Sequence, residues 1–356
     1  MAAPRKIGVL TFHRCINYGS YWQASCLVEA LRAMGHDAVL LDYDSPAINR
    51  REWRCALQPQ LPSKGPSEDV ARYALKTRQF FEAFDRLPRS KRFSLDDPSS
   101  FDGLDRIIVG SDEVWNLRHP WYGGCPLFYG TGLGTGRLVS YAASFGNFDA
   151  AHGLPAQLSE ALASFTRISV RDRNSATIVR DALGFKPEIV LDPCLQFPPA
   201  TEPEDAAAAH PYVAVYGHSF PSWFANIVRN WAVPLKYRLV SIGYRNDWAD
   251  EQRIAAGPQA FAGLMAGALA VVTNFFHGCV FSLLNAKPFA CVSSVYRANK
   301  LRDLMRLLSA DVHLTDENST ASSVAGLLGN PLDERISRRI AVLRRRSDEY
   351  IREAIA

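Results

Sequence analysis

The chain predicts an α/β protein built on parallel sheets and divided into two halves, and three observations carry that prediction. Short apolar runs alternate with amphipathic segments, which is how parallel strands joined by helices read in sequence. A stretch rich in proline, acidic and small residues, 197–209, is the most linker-like segment. Beyond it the same strand and helix rhythm restarts.

Ile7–Phe12 forms the first predicted strand, and a helix from Tyr21 to Met34 follows the loop His13–Gly19, stopped by Gly35. Ala38–Tyr43 is the second strand. Residues 46–68, mixing proline, serine and basic residues, read as a long excursion before a helical segment over 68–84. Arg106–Gly110, Leu138–Ala143, Ser169–Arg171 and Glu188–Asp192 add strands, with a helix at Ser175–Leu183. After the linker come Tyr212–Tyr216, a helix over Pro221–Val233, Tyr237–Ile242 and the apolar run 268–276. Leu332, Ile336, Ile340, Leu343, Tyr350 and Ile351 recur near helical spacing, so the tail reads as an amphipathic helix with its arginines on the wet face. The expected domains are 1–200, 210–330 and the helix 331–356. Two such Rossmann-like halves should face a central cleft, with ligands beyond the carboxyl ends of the strands.

Composition limits the function classes. At 356 residues, 47% hydrophobic and 21% charged, the chain is ordinary for a globular protein. Its apolar windows fall far short of the roughly 20 residues a spanning helix needs. The start runs straight into Ile7–Leu10 without a signal-peptide pattern, which predicts a cytoplasmic protein with no integral membrane segment. A net charge of +4 fits a small anionic substrate and calls for no nucleic-acid partner. Seven dispersed cysteines without metal-ligand spacing predict reduced thiols, with no structural zinc and no disulfide framework.

Val271 to Gly278 is the most informative stretch. An apolar strand leads into a turn that holds His277-Gly278, and Cys279–Leu284 has the pattern of a buried helix. A helix start attracts anions and histidine carries protons, so the two together suit an anionic reactant; the alternative for a lone histidine is a hydrogen-bonded core residue. Asn17, Tyr18, Gly19 and Ser20 follow the first strand and could cradle a phosphate or carboxylate, or form an ordinary cap. Ser111, Asp112 and Glu113 follow a buried strand, and the two acids could bind sugar hydroxyls or cap the following turn. Arg171, at another strand end, offers a bidentate cation, its alternative being an ion pair with Asp172 or Asp192. The glycines of 130–136 do not fit a dinucleotide fingerprint and read as a flexible connection.

Taken in order, Gly8–Phe12 with Asn17–Ala24, Gly110–Asn116, Ser140–Gly146, Ser169–Asp172, Val190–Pro193 and Thr273–Gly278 resemble the polysaccharide pyruvyl transferases, over residues 7–305. The resemblance implies a GT-B-like glycosyltransferase architecture and transfer of the enolpyruvyl unit of phosphoenolpyruvate onto two hydroxyls of a sugar or glycan precursor, giving a cyclic ketal. It implies His277 as general acid, with Arg171, Asn274 and Gly278 on the donor, and needs no cofactor. Two positions differ from some members, which carry arginine at Phe275 and glutamine at Glu113. The alternatives are a glycosyltransferase using a nucleotide sugar and a noncatalytic glycan-binding protein of the same fold.

Overall fold

The computed structural model describes residues 3–62, 65–95, 101, 103–134, 136–202, 211–293 and 298–356. Within them the chain divides into two compact units. The first comprises Met1–Arg51, Arg86–Pro198 and Ala341–Ala356, and the second Glu52–Asp85 and Pro199–Ile340. One division falls inside the stretch read as a linker, of which 203–209 lie outside the described residues. Another sends 52–85, contiguous in sequence with the first half, to the second unit.

In the first unit the strands Asp37–Leu40, Lys6–Leu10, Arg106–Val109 and Leu138–Ser140 lie side by side, all parallel. Single bridges Val139↔Arg167 and Ala143↔Val170 extend this sheet toward Ser169–Val170, which pairs with Glu188–Ile189. The second strand in sequence is therefore outermost, the first lies inside it, and the rest follow, so the order reverses between Lys6–Leu10 and Arg106–Val109. Ligands of such sheets bind at that reversal. Ile7, Val9, Leu10, Ile107, Ile108 and Val109 are all fully buried, which is why these runs read as continuously apolar rather than alternating.

The helix Tyr18–Ala33 begins three residues before the predicted Tyr21, because the Asn17 side chain caps it by accepting from the Gly19 and Ser20 amides. The tail is helical over Glu334–Ile355, with Ile336, Ile340, Leu343, Tyr350 and Ile351 buried as the spacing predicts. Its last turns are fixed to the first unit: the Tyr350 hydroxyl donates to the Ser140 carbonyl at 2.8 Å, and Arg344 Nε to the Leu195 carbonyl at 2.7 Å.

The second unit holds a six-stranded parallel sheet. Renumbered along the unit, Tyr212–Tyr216, Arg238–Ile242, Glu251–Arg253, Ala270–Thr273, Phe289–Val292 and Leu314–Thr315 lie in the order 3-2-1-4-5-6. That is the strand order of dinucleotide-binding domains, with its reversal between Tyr212–Tyr216 and Ala270–Thr273. The helix Ser222–Ala232, flanked by Pro221 and Val233 as caps, matches its predicted span.

One sequence expectation is corrected. Part of the excursion 46–68 is a helix, Pro46–Leu57, started by a proline at a position that tolerates its missing N–H. The glycines at 130, 132, 134 and 136, which follow the short helix Pro126–Tyr129, all have positive φ.

Candidate functional site

Each unit gathers polar side chains where its strand order reverses, and the two groups differ in charge. In the first unit, the residues following Lys6–Leu10 and Arg106–Val109 meet across the reversal. Thr11 Oγ1 donates to the Ser111 carbonyl at 2.8 Å, and Ser20 Oγ donates to Asp112 Oδ2 at 2.7 Å. The segments 17–20 and 111–113, far apart in sequence, are thus one structural feature. Ser20 lies there because Asn17 fixes the helix's first turn. Asp112 Oδ1 accepts from the Glu113 amide at 2.8 Å, and Glu113 Oε2 accepts from Asn116 Nδ2 at 2.8 Å.

Arg171 enters from the next strand end. Its Nη2 lies 3.3 Å from Asp112 Oδ1 and its Nη1 3.2 Å from Asp192 Oδ2. Burial opposes the charge on this guanidinium, but Asp112 and Asp192 more than offset that and raise its pKa. Asp172, predicted as a possible partner, instead caps the helix Arg173–Leu183, accepting from the Ser175 amide at 2.7 Å and from Ser144 Oγ at 2.6 Å. Burial pushes the Asp172 carboxyl above its usual range, the hydrogen bonds opposing. Among the described residues, Asp112, Asp192, Glu113 and Asp172 all act on the Arg171 guanidinium, and the group leans negative. Such a surface suits hydroxyl donors better than a second anion.

Beside the same strand ends, His13 Nε2 lies 3.0 Å from Asp42 Oδ1, while Arg14 grips the Asp42 carboxylate at 2.7 and 2.8 Å. Burial raises the Asp42 pKa, but these partners outweigh it and hold the carboxyl well below the usual range. Sequence reading missed this cluster, although a histidine directly after a buried strand was the available signal.

In the second unit the strand Ala270–Thr273 ends in a side-chain bond to its neighbour. Thr273 Oγ1 donates to the Tyr216 carbonyl at 2.6 Å and accepts from the Phe275 amide at 3.1 Å. The helix then starts at Phe276, so His277 is its second residue and Gly278 its third. This corrects the expectation that His277 lies in a turn before the helix. Phe275 occupies the cap position and offers no side-chain acceptor to the first-turn amides. Gly278 is required by packing: a Cβ there would lie 2.0 Å from Thr273 Oγ1.

Asn274 Nδ2 donates to the His218 carbonyl at 2.7 Å. Among the described residues, its buried Oδ1 has no hydrogen-bond partner. A Cβ at Gly217 would come within 2.2 Å of that oxygen, and Gly217 has φ of 146°, so glycine is needed twice over. Phe275 sits in an aromatic group, its ring centroid 5.1 Å from Tyr216, 5.4 Å from His218 and 5.5 Å from Tyr244. Lys76, from the helix Glu68–Asp85, lies 4.5 Å above the Tyr244 ring and donates to the Gly243 carbonyl at 2.8 Å. Burial lowers its pKa to about 7. A lysine on the same stripe as Tyr73 and Phe80 was the sequence signal for this residue.

The sequence-predicted residues therefore fall into two sets. Asn17, Tyr18, Gly19, Ser20, Ser111, Asp112, Glu113 and Arg171 belong to the first unit, with Ser20, Asp112 and Arg171 in one hydrogen-bonded chain. Asn274, His277 and Gly278 are grouped at the reversal of the second unit.

Residues 17–294 match the family model described as polysaccharide pyruvyl transferase. No curated protein matches the chain in sequence. Among solved structures, a Listeria monocytogenes protein provisionally assigned as a UDP-N-acetylglucosamine 2-epimerase superposes with a TM-score of 0.51 at 10% identity, covering 95% of this chain and 91% of its own. S. aureus MnaA, solved with UDP, gives a TM-score of 0.50 at 12% identity, covering 94% and 90%. At these identities the likeness concerns the fold, which is that of two Rossmann-like units as in GT-B proteins. Among the described residues no helix is long and apolar enough to cross a membrane.

Proposed function

The chain belongs to the polysaccharide pyruvyl transferase family, hence to the transferases, and on that premise we propose that it moves the enolpyruvyl unit of phosphoenolpyruvate onto a sugar of a polysaccharide or glycan precursor, with His277 as general acid. The observation that carries this reading is the position of His277, on the first turn of a helix that opens at the strand-order reversal of the second unit. A helix start favours an anionic ligand, and an imidazole beside it can hand over a proton.

In the proposed reaction the imidazolium of His277 protonates the methylene carbon of phosphoenolpyruvate. The carbon–carbon π pair forms the new C–H bond, the methylene becomes methyl, and C2 becomes oxocarbenium-like. A sugar hydroxyl adds its oxygen to C2, and its proton returns to the imidazole. Loss of phosphate, by cleavage of its C–O bond with the imidazolium proton passing to the departing oxygen, regenerates the cation, and a second hydroxyl closes the ketal as its own proton passes to the imidazole. Asn274 and Gly278 would line the donor beside His277. The first-unit residues Asn17, Tyr18, Gly19, Ser20, Ser111, Asp112 and Glu113 would serve the acceptor, a role their negative balance supports because carboxylates accept from hydroxyls. Arg171, which the resemblance assigns to the donor anion, shares its charge with Asp112 and Asp192.

A second reading, a glycosyltransferase using a nucleotide sugar, draws on the 3-2-1-4-5-6 order of the second unit. Incubation with labelled phosphoenolpyruvate, and separately with nucleotide sugars, over a panel of sugar acceptors discriminates the two. Release of inorganic phosphate with label in the sugar supports pyruvyl transfer, and release of nucleotide alone overturns it. The protein is expected to act in the cytoplasm, where phosphoenolpyruvate is available.

A further inference from the structure

The helices Pro46–Leu57 and Glu68–Asp85 expose an apolar and basic face that the transfer chemistry does not use. Large apolar side chains are normally covered, yet Trp53, Val70, Leu75 and Phe81 are 44%, 50%, 47% and 38% exposed. They are not scattered. Val70, Ala74, Arg78 and Phe81 follow one another at helical spacing along one exposed stripe, with Leu75 beside it, and Trp53 from the neighbouring helix meets Phe81 edge-on at 5.9 Å.

Charge accompanies the apolar patch on the first of the two helices: Pro46–Leu57 carries Arg50, Arg51 and Arg54 against Glu52 alone, and Glu52 is buried. On Glu68–Asp85 three basic residues stand among four acids, Arg72 pairing with Asp69 and Arg78 with Glu82. Arg50, Arg51 and Arg54 are exposed on the same helix as Trp53, and Arg72 and Arg78 on the same helix as Phe81. Aromatic and aliphatic side chains that can enter the headgroup boundary, ringed by arginines whose stems can lie along it, form the pattern of an interfacial helix. A protein groove would require acids opposite these arginines at fixed positions; an anionic lipid surface supplies negative charge without that geometry.

We propose that Trp53, Val70, Leu75 and Phe81, with Arg50, Arg51, Arg54, Arg72 and Arg78 around them, dock the protein peripherally on an anionic lipid surface. Such docking would hold the enzyme beside acceptors carried at a membrane.

Sedimentation of the full chain with lipid vesicles tests this. Vesicles of phosphatidylcholine with about 30 mol% phosphatidylglycerol should carry the protein down at low salt, and pure phosphatidylcholine vesicles should not. Raising the ionic strength to about 0.5 M should release it. Arg50→Glu with Arg54→Glu should weaken partition by more than about ten-fold, and Trp53→Ser with Phe81→Ser should weaken it also, both with unchanged circular dichroism. Wild-type protein that stays in the supernatant with anionic vesicles overturns the proposal. So does binding that the arginine reversals leave intact. A concentration-dependent dimer in sedimentation velocity, lost in Trp53→Ser, without vesicle binding, would instead assign the face to a second copy of the chain.

Discussion

The Arg171 guanidinium lies 3.2 Å from the Asp192 carboxylate, and both side chains are almost wholly withdrawn from water. With Asp112 at 3.3 Å on its other nitrogen, Arg171 ties three strand ends of the first unit together. Removing it would strand two carboxylates in a poorly solvated site. Arg171→Met should therefore cost roughly 3–5 kcal/mol, read as a lowered urea midpoint with an unchanged slope. Arg171→Lys keeps the charge but not the two-pronged geometry, so it should recover part of that loss. If Arg171 also touches the donor, the lysine variant will show a raised KM for phosphoenolpyruvate beyond its modest loss of stability. A methionine variant as stable as wild type would refute the structural role.

Gly278 offers a test of the second unit that does not depend on catalysis. A Cβ at this position would collide with Thr273, whose hydroxyl is already committed to the Tyr216 carbonyl and the Phe275 amide. Either the helix start or that hydroxyl must move. Gly278→Ala should destabilise the protein by about 1–3 kcal/mol, although alanine is the better helix former. Thermal denaturation of the variant decides it, and a raised midpoint would show that the first turn accommodates the methyl group.

Much of the fold was legible because buried parallel strands are continuous apolar runs, and because caps mark helix ends. Pro221 and Val233 bracket a helix where sequence placed it, and the stripe Ile336, Ile340, Leu343, Tyr350 and Ile351 is buried. The misplacements have local causes. Phe275 and Phe276 prolong the apolar run, so His277 reads as a turn residue, whereas Thr273 ends the strand with its own hydroxyl and the helix takes in Phe276. Pro46 and its following arginines resemble a loop, yet proline suits a helix start. The site was legible only as separate strand ends. Arg171 reaches Asp112 across 59 positions and Asp192 across 21, and strand order, which no local pattern reveals, brings them together.

Lys76 makes a prediction about pH. Burial lowers its pKa to about 7, whereas an unfolded lysine titrates near ~10.4. Between those values the unfolded chain binds more protons than the folded one, so this residue's contribution makes stability rise with pH. Below about 7 the cost of burying the ammonium is fully present. Lys76→Met has no ammonium to desolvate, although it forfeits the bond to the Gly243 carbonyl. The stability of Lys76→Met relative to wild type should therefore be most favourable at or below pH 7 and fall steadily toward pH 10. Urea denaturation at several pH values measures this difference, and parallel curves for the two proteins would contradict a buried, proton-losing lysine.

His277 bears the functional claim, and its variants must separate chemistry from folding. The side chain is buried on the first turn of its helix, so a truncation could harm packing as well as proton transfer. His277→Asn keeps a polar side chain there but cannot act as an acid near neutral pH. As general acid, His277 should account for roughly 10²–10⁴-fold in turnover. Both His277→Asn and His277→Ala should lose about that much in phosphate release from phosphoenolpyruvate, with circular dichroism and the thermal midpoint near wild type for the asparagine variant. Donor affinity should change far less than turnover, because a proton delivered in the transition state contributes little to ground-state binding. If the asparagine variant instead loses donor binding and keeps its maximal rate, His277 is a donor contact and the proton comes from elsewhere.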